Sequence, residues 1–271
     1  MPDDDAHATR SYYDCATKSE DARLTRHQLE FDMTIRYLEA YLPSTGRILE
    51  IGAATGRYTA WLAKRGHHVT AVDLSKSLLD QCKRRLEDDG LTENVRCYAA
   101  DARDLTSIPG TDFDTVLLMG PLYHLTLGRN RLVALRESVA RLRPGGILIS
   151  ALISRYGILG HLLKHVPQWI EDQQTVRSII DHGHDTEDAH TTGFHGYYAI
   201  TDEIIPLHEQ AGLETLLLAG VEPAISADDE SYNALTGGRR AMWLDLLFEV
   251  SREPSVVASS RHLLYVGRKP R

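Results

Sequence analysis

The chain has 271 residues, 42% of them hydrophobic and 25% charged, a balance that builds a core and excludes a mainly disordered chain, a collagen-like repeat and a coiled coil. Its 30 Lys and Arg against 38 Asp and Glu give a formal net charge of −8, which argues against a sequence-independent hold on nucleic acid. No run approaches the ~20 apolar residues that cross a bilayer, and the acidic start MPDDDAHATR is not a secretory signal, so the expected setting is the cytoplasm, with no membrane partner.

The elements follow in chain order. Leu24, His27, Leu29, Phe31, Ile35, Leu38 and Tyr41 recur at helical spacing until Pro43 stops the run. The period then changes. RILEIG, Arg47 to Gly52, is a short apolar run ending at glycine and suits a buried strand. A helix is expected over Thr55–Arg65 and a second strand over His68–Asp73. Ser75 is the expected N-cap of the next helix, which Gly90 ends. Strands follow at Val95–Asp101, Phe113–Gly120 and Gly146–Leu152, with an amphipathic helix over Arg129–Leu142 before the last of these. This alternation predicts an α/β fold, a parallel sheet with helices on both faces. After Ile153 the rhythm breaks. Residues 153–200 are rich in His, Gly, Asp and Thr and read as an insertion over one end of the sheet. Thr201 is expected to cap a helix containing Pro206. A sixth strand over Leu213–Glu222, a helix around Ala241–Val250 and a last strand over Arg261–Lys269 complete the chain.

The cysteines, Cys15, Cys82 and Cys97, are scattered and form no CxxC, so reduced thiols are expected and a structural zinc site is not. Asp181-His182-Gly183-His184-Asp185 invites a metal reading but is also what a polar loop looks like, and no metal is expected.

The informative stretch is Ile48 to Tyr58, a strand, a glycine turn and a helix start. Glycine lets a ligand approach the backbone, and the helix start offers unpaired N–H groups. A nicotinamide cofactor fits poorly. The G-x-G-x-x-G register from Gly52 requires glycines at 54 and 57, where the chain has Ala54 and Arg57. A P-loop fails too, because no Gly-Lys-Ser/Thr follows.

Glu50, Gly52 and Gly56 instead resemble the first motif of class I S-adenosylmethionine-dependent methyltransferases, with Ala54 where a glycine is usual. Asp73 in AVDLS resembles the acid that takes the ribose hydroxyls. Asp101, with Ala102 and Arg103, resembles the acid at the adenine. LLMGPLYHL resembles the loop after strand four, and LRPGGILI the turn into strand five. The likeness is best over Arg47–Leu152. GPLYHL and the flanks point to a small-molecule branch. The resemblance implies a Rossmann-like three-layer sandwich with a mostly parallel seven-stranded sheet and an antiparallel last strand. Its parts would be an N-terminal helical lid (1–45), a cofactor core (46–152), an acceptor-covering insertion (153–200) and a C-terminal completion of the sheet (201–271).

It also implies S-adenosylmethionine as cofactor, with S-adenosylhomocysteine as product. Tyr13, Arg23, Glu50, Gly52, Ala53, Ala54, Gly56, Asp73, Leu74, Asp101, Ala102, Arg103, Met119 and Gly120 are the expected cofactor residues. Asp73 read alone is also a helix-initiating acid, and Asp101 a loop cap. His124, just past strand four, is the first candidate base, though it also reads as a packing residue. His195 and Tyr13 are the other catalytic candidates. Tyr12, Tyr123, His124, Phe194, His195 and Tyr197 are expected around the acceptor. Glu20, Arg23, His27 and Glu30 share a helical face on which Arg23 either meets the cofactor carboxylate or sits in a solvated ion-pair row. No Asn/Asp-Pro-Pro-Tyr/Phe run and no Pro-Cys nucleophile follows strand four, so the expected partner is a small aromatic or heterocyclic acceptor such as an indole or phenol, not nucleic acid. A non-catalytic S-adenosylmethionine-binding module and a nicotinamide oxidoreductase are the alternatives.

Overall fold

The computed structural model describes residues 6, 9–10, 26–184, 196–222 and 228–271. Eight strands form one sheet: β1 Arg47–Ile51, β2 His68–Asp73, β3 Val95–Ala99, β4 Phe113–Leu118, β5 Leu142–Ser154, β6 Tyr198–Ala199, β7 Glu214–Gly220 and β8 His262–Arg268. The order is β3-β2-β1-β4-β5-β8-β7, with the two-residue β6 beside the end of β5. The pairs from β3 through β5 are parallel, while β8 runs antiparallel to both β5 and β7. This is the expected mixed α/β sheet with its antiparallel last strand; β6 adds an eighth strand to the seven anticipated.

Helices cover both faces, which is why β1 and β4 are buried along nearly their whole length. One face carries helix α1, Gln28–Tyr41, whose Leu29, Met33, Tyr37 and Leu38 are buried, together with α2, Arg57–Lys64, and α3, Lys76–Asp88. Ser75 caps α3 by accepting from the Leu78 N–H at 3.3 Å. The other face carries Gly128–Arg141 and Thr201–Gln210. Thr201 is the first residue of that helix and not its cap; the Glu203 side chain satisfies the Ile200 N–H at 3.0 Å. Pro206 lies inside the helix.

The sequence pattern predicts no helices between 153 and 200, and among the described residues two are present, Leu159–His165 and Gln173–His182, joined by a 3₁₀ turn at Pro167–Glu171. They close over a small core of Ile153, Ile158, Leu162, Trp169, Val176, Ile179 and Tyr198. The turn at Arg143–Gly146 is absorbed into a longer β5 through an irregular register with β4 between Phe113 and Thr115. Trp243 is exposed, and Phe248 packs against Tyr37 with ring centroids 4.7 Å apart.

Candidate functional site

The carboxyl ends of β1, β2, β4 and β5 open onto a cavity with about 1090 Å³ of free space, its mouth included. Ligands of open parallel sheets bind at this edge, where the strand order reverses. The reversal here falls between β1 and β4.

The floor is the turn after β1. Gly52 has φ +85°, and a Cβ there would collide with the Met119 carbonyl oxygen and sit 2.8 Å from Pro121 Cδ. A side chain is therefore excluded twice, by conformation and by space. Ala54 adopts φ +47°, left-handed for a residue with a Cβ, at a cost of roughly 1–2 kcal/mol. The Ala54 N–H donates to Asp73 Oδ2 at 2.8 Å, and the Ser75 N–H donates to Asp73 Oδ1 at 2.8 Å. Asp73 therefore holds the strained turn at the cavity wall.

Farther along the wall, Arg103 engages Asp101. Its N–H and Nε donate to Oδ1 at 2.9 and 3.0 Å, and Nη2 donates to Oδ2 at 2.6 Å. Burial would raise the Asp101 carboxyl, but the bonds and charge of Arg103 hold it below the ordinary range. At the opposite end stand Glu30, Tyr58, Pro121, Tyr123, His124 and Ala151. Burial pushes the Tyr58 phenol far above its usual value, so it acts as a neutral donor and acceptor.

Gly52, Ala53, Ala54, Asp73, Leu74, Asp101, Ala102, Arg103, Met119 and Gly120 all line this one space, with Tyr123 and His124. Three expected residues stand elsewhere. Glu50 is wholly buried behind the turn, where its Oε2 accepts from Thr59 Oγ1 at 2.6 Å. Gly56 packs on Cys82 at the start of α2 with φ +80° and is off the wall. Tyr197 is a core residue whose hydroxyl donates to Glu203 and whose ring lies 3.4 Å beneath the Arg131 guanidinium carbon. Strand alternation in β1 turns Glu50 away from the cavity, and a linear motif does not record that. Tyr12, Tyr13, Arg23, Phe194 and His195 lie outside the described residues. Sequence reasoning missed Ala6, Thr9 and Arg10 as wall residues, and Glu30, Arg57 and Tyr58 too. The helical spacing that singled out Glu30 could have led to it; Arg57, the first residue of the helix after the glycine turn, carried a signal that went unused.

The model of the methyltransferase domain family matches residues 48–146. Over that stretch, about a third of its length, the chain is similar to methyltransferase domains. Its relatives include the tRNA 5-carboxymethoxyuridine methyltransferase of Escherichia coli strain K12, 31% identical over 126 residues, which are 46% of this chain and 47% of the relative. The ubiquinone biosynthesis O-methyltransferase of Coxiella burnetii strain RSA 493 is 32% identical over 122 residues, 45% of this chain and 50% of the relative. The chain thus spans about half the length of the curated relatives it matches. A similar solved fold is the Burkholderia thailandensis 1,6-didemethyltoxoflavin-N1-methyltransferase with bound 1,6-didemethyltoxoflavin and S-adenosylhomocysteine. It has a TM-score of 0.63 at 18% identity, covering 100% of this chain and 91% of that one.

The methyltransferase domain's cofactor fits the residues present. A backbone stripped of side chains at Gly52, an oriented acid at Asp73, apolar Leu74, Leu78, Ala102 and Met119, and the cations Arg10 and Arg57 surround one space of suitable size. Thr9, also on the wall, holds a buried Oγ1 without a partner among the described residues. No helix among the described residues is long and apolar enough to cross a membrane.

Proposed function

We propose that the protein transfers a methyl group from S-adenosylmethionine to a small aromatic or heterocyclic acceptor. The observation that carries this reading is Asp73, whose two oxygens are oriented by backbone N–H groups beside a turn that only a bare backbone can make. The bound cofactor supplies a methyl group already electrophilic on a sulfonium. The chain's part is to bind, orient and keep out water. Asp73 would take the ribose hydroxyls, and Asp101 with Ala102 would border the base. Arg57, buried enough that its pKa is lowered, would face the amino-acid carboxylate, with Arg10. Arg57 lies over the Phe31 ring at 3.7 Å and donates to Gln28 Oε1 at 3.1 Å, contacts that fix its direction. Tyr123 and His124 would touch the acceptor.

Tyr58, Tyr123, Pro121 and Leu125 on the wall support an aromatic acceptor, and the charge of −8 supports a small molecule over an RNA. Calorimetric titration with S-adenosylhomocysteine, with NADH as control, tests the cofactor. Micromolar binding of the first alone is expected. Binding of NADH alone would turn the reading to an oxidoreductase. Transfer of labelled methyl to a panel of indoles, phenols, amines and unmodified bulk tRNA tests the acceptor. Label in tRNA alone would overturn the small-molecule reading, and tight binding without transfer to any of them would favour a binding module.

A further inference from the structure

Among the described residues three carboxylates line the cavity, Glu30, Asp73 and Asp101. Asp73 accepts from two backbone N–H groups and Asp101 from Arg103. Glu30, in the first turn of α1, accepts no hydrogen bond from any described residue. Its side chain is only 17% exposed. A carboxylate withdrawn that far from water costs free energy unless a donor or a cation meets it.

The protein's own positive groups near Glu30 are directed elsewhere. Arg57 lies over the Phe31 ring and donates to Gln28. Arg261 donates through Nε to the wholly buried Glu222 at 2.7 Å and through Nη2 to His27 Nδ1 at 2.8 Å. His262 Nδ1 faces Glu222 and is 3.8 Å from Glu30 Oε2, beyond hydrogen-bonding distance. The charges of Arg57 and Arg261 moderate the field at Glu30, but neither gives it a donor.

His262 also locates Glu30 in the cavity. It begins β8, and β8 stands three strand spacings from β1, about 14 Å, with β4 and β5 between them. Asp73 and Asp101 lie on the other side of β1, at the ends of β2 and β3. Glu30 is therefore on the acceptor side. Tyr58 and Tyr123 line the wall with it. Burial is the main reason that the Tyr58 phenol is raised, but the charge of Glu30 and the neighbouring Tyr123 add to the shift, so the three groups stand together. Phe31 stacks on Tyr58 with ring centroids 5.2 Å apart and braces that ring. A carboxylate among aromatic side chains suits an organic cation, because the carboxylate accepts its N–H groups and the rings meet its charge.

We infer that Glu30 recognises an ammonium group on the acceptor, which is then a cationic amine carrying an aromatic or heterocyclic ring. The inference rests on the methyl-transfer reading and narrows its acceptor. An alkylammonium paired with a carboxylate keeps its proton and has no lone pair. It anchors the acceptor, and the attacking atom belongs to the ring.

The first test needs no variant. With S-adenosylhomocysteine saturating the wild-type chain, calorimetry compares tryptamine with 3-propylindole and tyramine with 4-propylphenol, pairs that differ in an ammonium against a methyl group. In at least one pair the ammonium member should bind about tenfold tighter or more. Absence of that preference in both pairs, through equal affinity or through no binding, overturns the proposal. Glu30→Gln should bring the two members of the pair within about twofold of each other and leave S-adenosylhomocysteine affinity within about twofold of wild type. A preference that survives the substitution overturns the proposal. The cofactor carries an ammonium of its own, and a tenfold loss of S-adenosylhomocysteine affinity would assign Glu30 to that group and overturn the proposal too. Wild-type protein that binds no S-adenosylhomocysteine removes the parent reading and this one with it, whereas cofactor binding without the ammonium preference removes this one alone. Where tryptamine or tyramine accepts labelled methyl, tandem mass spectrometry should place it on the ring; a methyl on the ammonium nitrogen refutes the anchor.

Discussion

Glu50→Gln isolates the electrostatics of the strand beneath the cofactor turn. Glu50 is wholly buried, accepts one hydrogen bond, from Thr59, and leaves Oε1 without a partner among the described residues. Burial raises its carboxyl to about 8; the Thr59 hydroxyl opposes the shift and the charge of Asp73 adds to it. The native residue is therefore a neutral acid at pH 7. The unfolded chain, at the ordinary 4.5, is ionised. A raised native pKa gives stability that is complete below 4.5 and is lost as pH rises toward 8. The loss runs at about 1.4 kcal/mol per pH unit, or about 3 kcal/mol between pH 5 and pH 7.

Glutamine cannot ionise and escapes this loss. It brings a different, pH-independent cost, because its amide places N–H donors where Oε1 has no partner, worth roughly 1–3 kcal/mol. The variant should therefore be less stable than wild type at pH 5 and should match or exceed it by pH 7 to 8. Urea denaturation followed by tryptophan fluorescence at pH 5, 6, 7 and 8 gives both curves. The slope of the difference is the test, since the constant offset cancels. Parallel curves would mean that Glu50 is ionised in the native state beside a countercharge, and the account of a neutral buried acid would be wrong.

Gly52→Ala adds a backbone collision to an unfavourable φ, whereas Gly66→Ala, at φ +82° with no atom within 4 Å of the new Cβ, adds the φ strain alone. Thermal unfolding should show Gly66→Ala costing about 1 kcal/mol and Gly52→Ala at least ~2 kcal/mol, with S-adenosylhomocysteine binding lost in the second only; equal costs would remove the collision. Asp73→Ala should weaken S-adenosylhomocysteine by at least tenfold, about 1.4 kcal/mol, because the ribose hydroxyls lose an oriented acceptor and the Ala54 turn loses its tie; unchanged calorimetry in a folded variant takes Asp73 out of the site. His208 is fully buried, bonded to Ser150 Oγ at 2.8 Å and to the Ile204 carbonyl at 2.7 Å, and burial lowers it to about 4. A lowered pKa gives stability that is present above 6.5 and lost as pH falls toward 4. Wild type should thus lose about 2 kcal/mol from this group between pH 6.5 and 5, and His208→Gln should lose that much less; identical acid limbs in denaturant titrations would contradict it.

The cofactor half of the site was legible because its signals are local. A glycine turn, an acid at a strand end and a cap three residues from its N–H partner each lie within one short window, so Gly52, Asp73 and Ser75 could be placed from spacing. Strand ends were harder. Asp101 was read as the last residue of a strand that stops at Ala99, because carboxylate capping by Arg103 replaces ladder bonds there. The insertion was misread because His, Gly and Asp dominate its composition while a sparse set of apolar residues, Leu162, Trp169, Val176 and Ile179, does the packing. Its helices pack against each other and the end of β5, so their periodicity is short and weak. Nothing local pointed to Glu222, Arg261 and His262, since Glu222 meets its partners about forty residues away.

That difference in legibility follows how the two halves of the site are built. The cofactor half is made largely of backbone: the φ of Gly52 and Ala54, the N–H groups that orient Asp73, and the edge of a parallel sheet. Such geometry is fixed by a few residues at fixed spacing, and the matched stretch, residues 48–146, contains Gly52, Ala54 and Asp73. The side chains that would complete the acceptor half around Tyr123 and His124 come in part from outside that stretch, Glu30 on α1 among them. A half built of side chains can change its charge and shape without disturbing the sheet. The curated relatives that match about half of their length share the first arrangement with this chain, so their acceptors, a tRNA in one name and ubiquinone biosynthesis in another, carry no weight for the second. The acceptor must be sought from the side chains on the cavity wall, Glu30, Tyr58, Tyr123 and His124 among them, and not from the relatives' names.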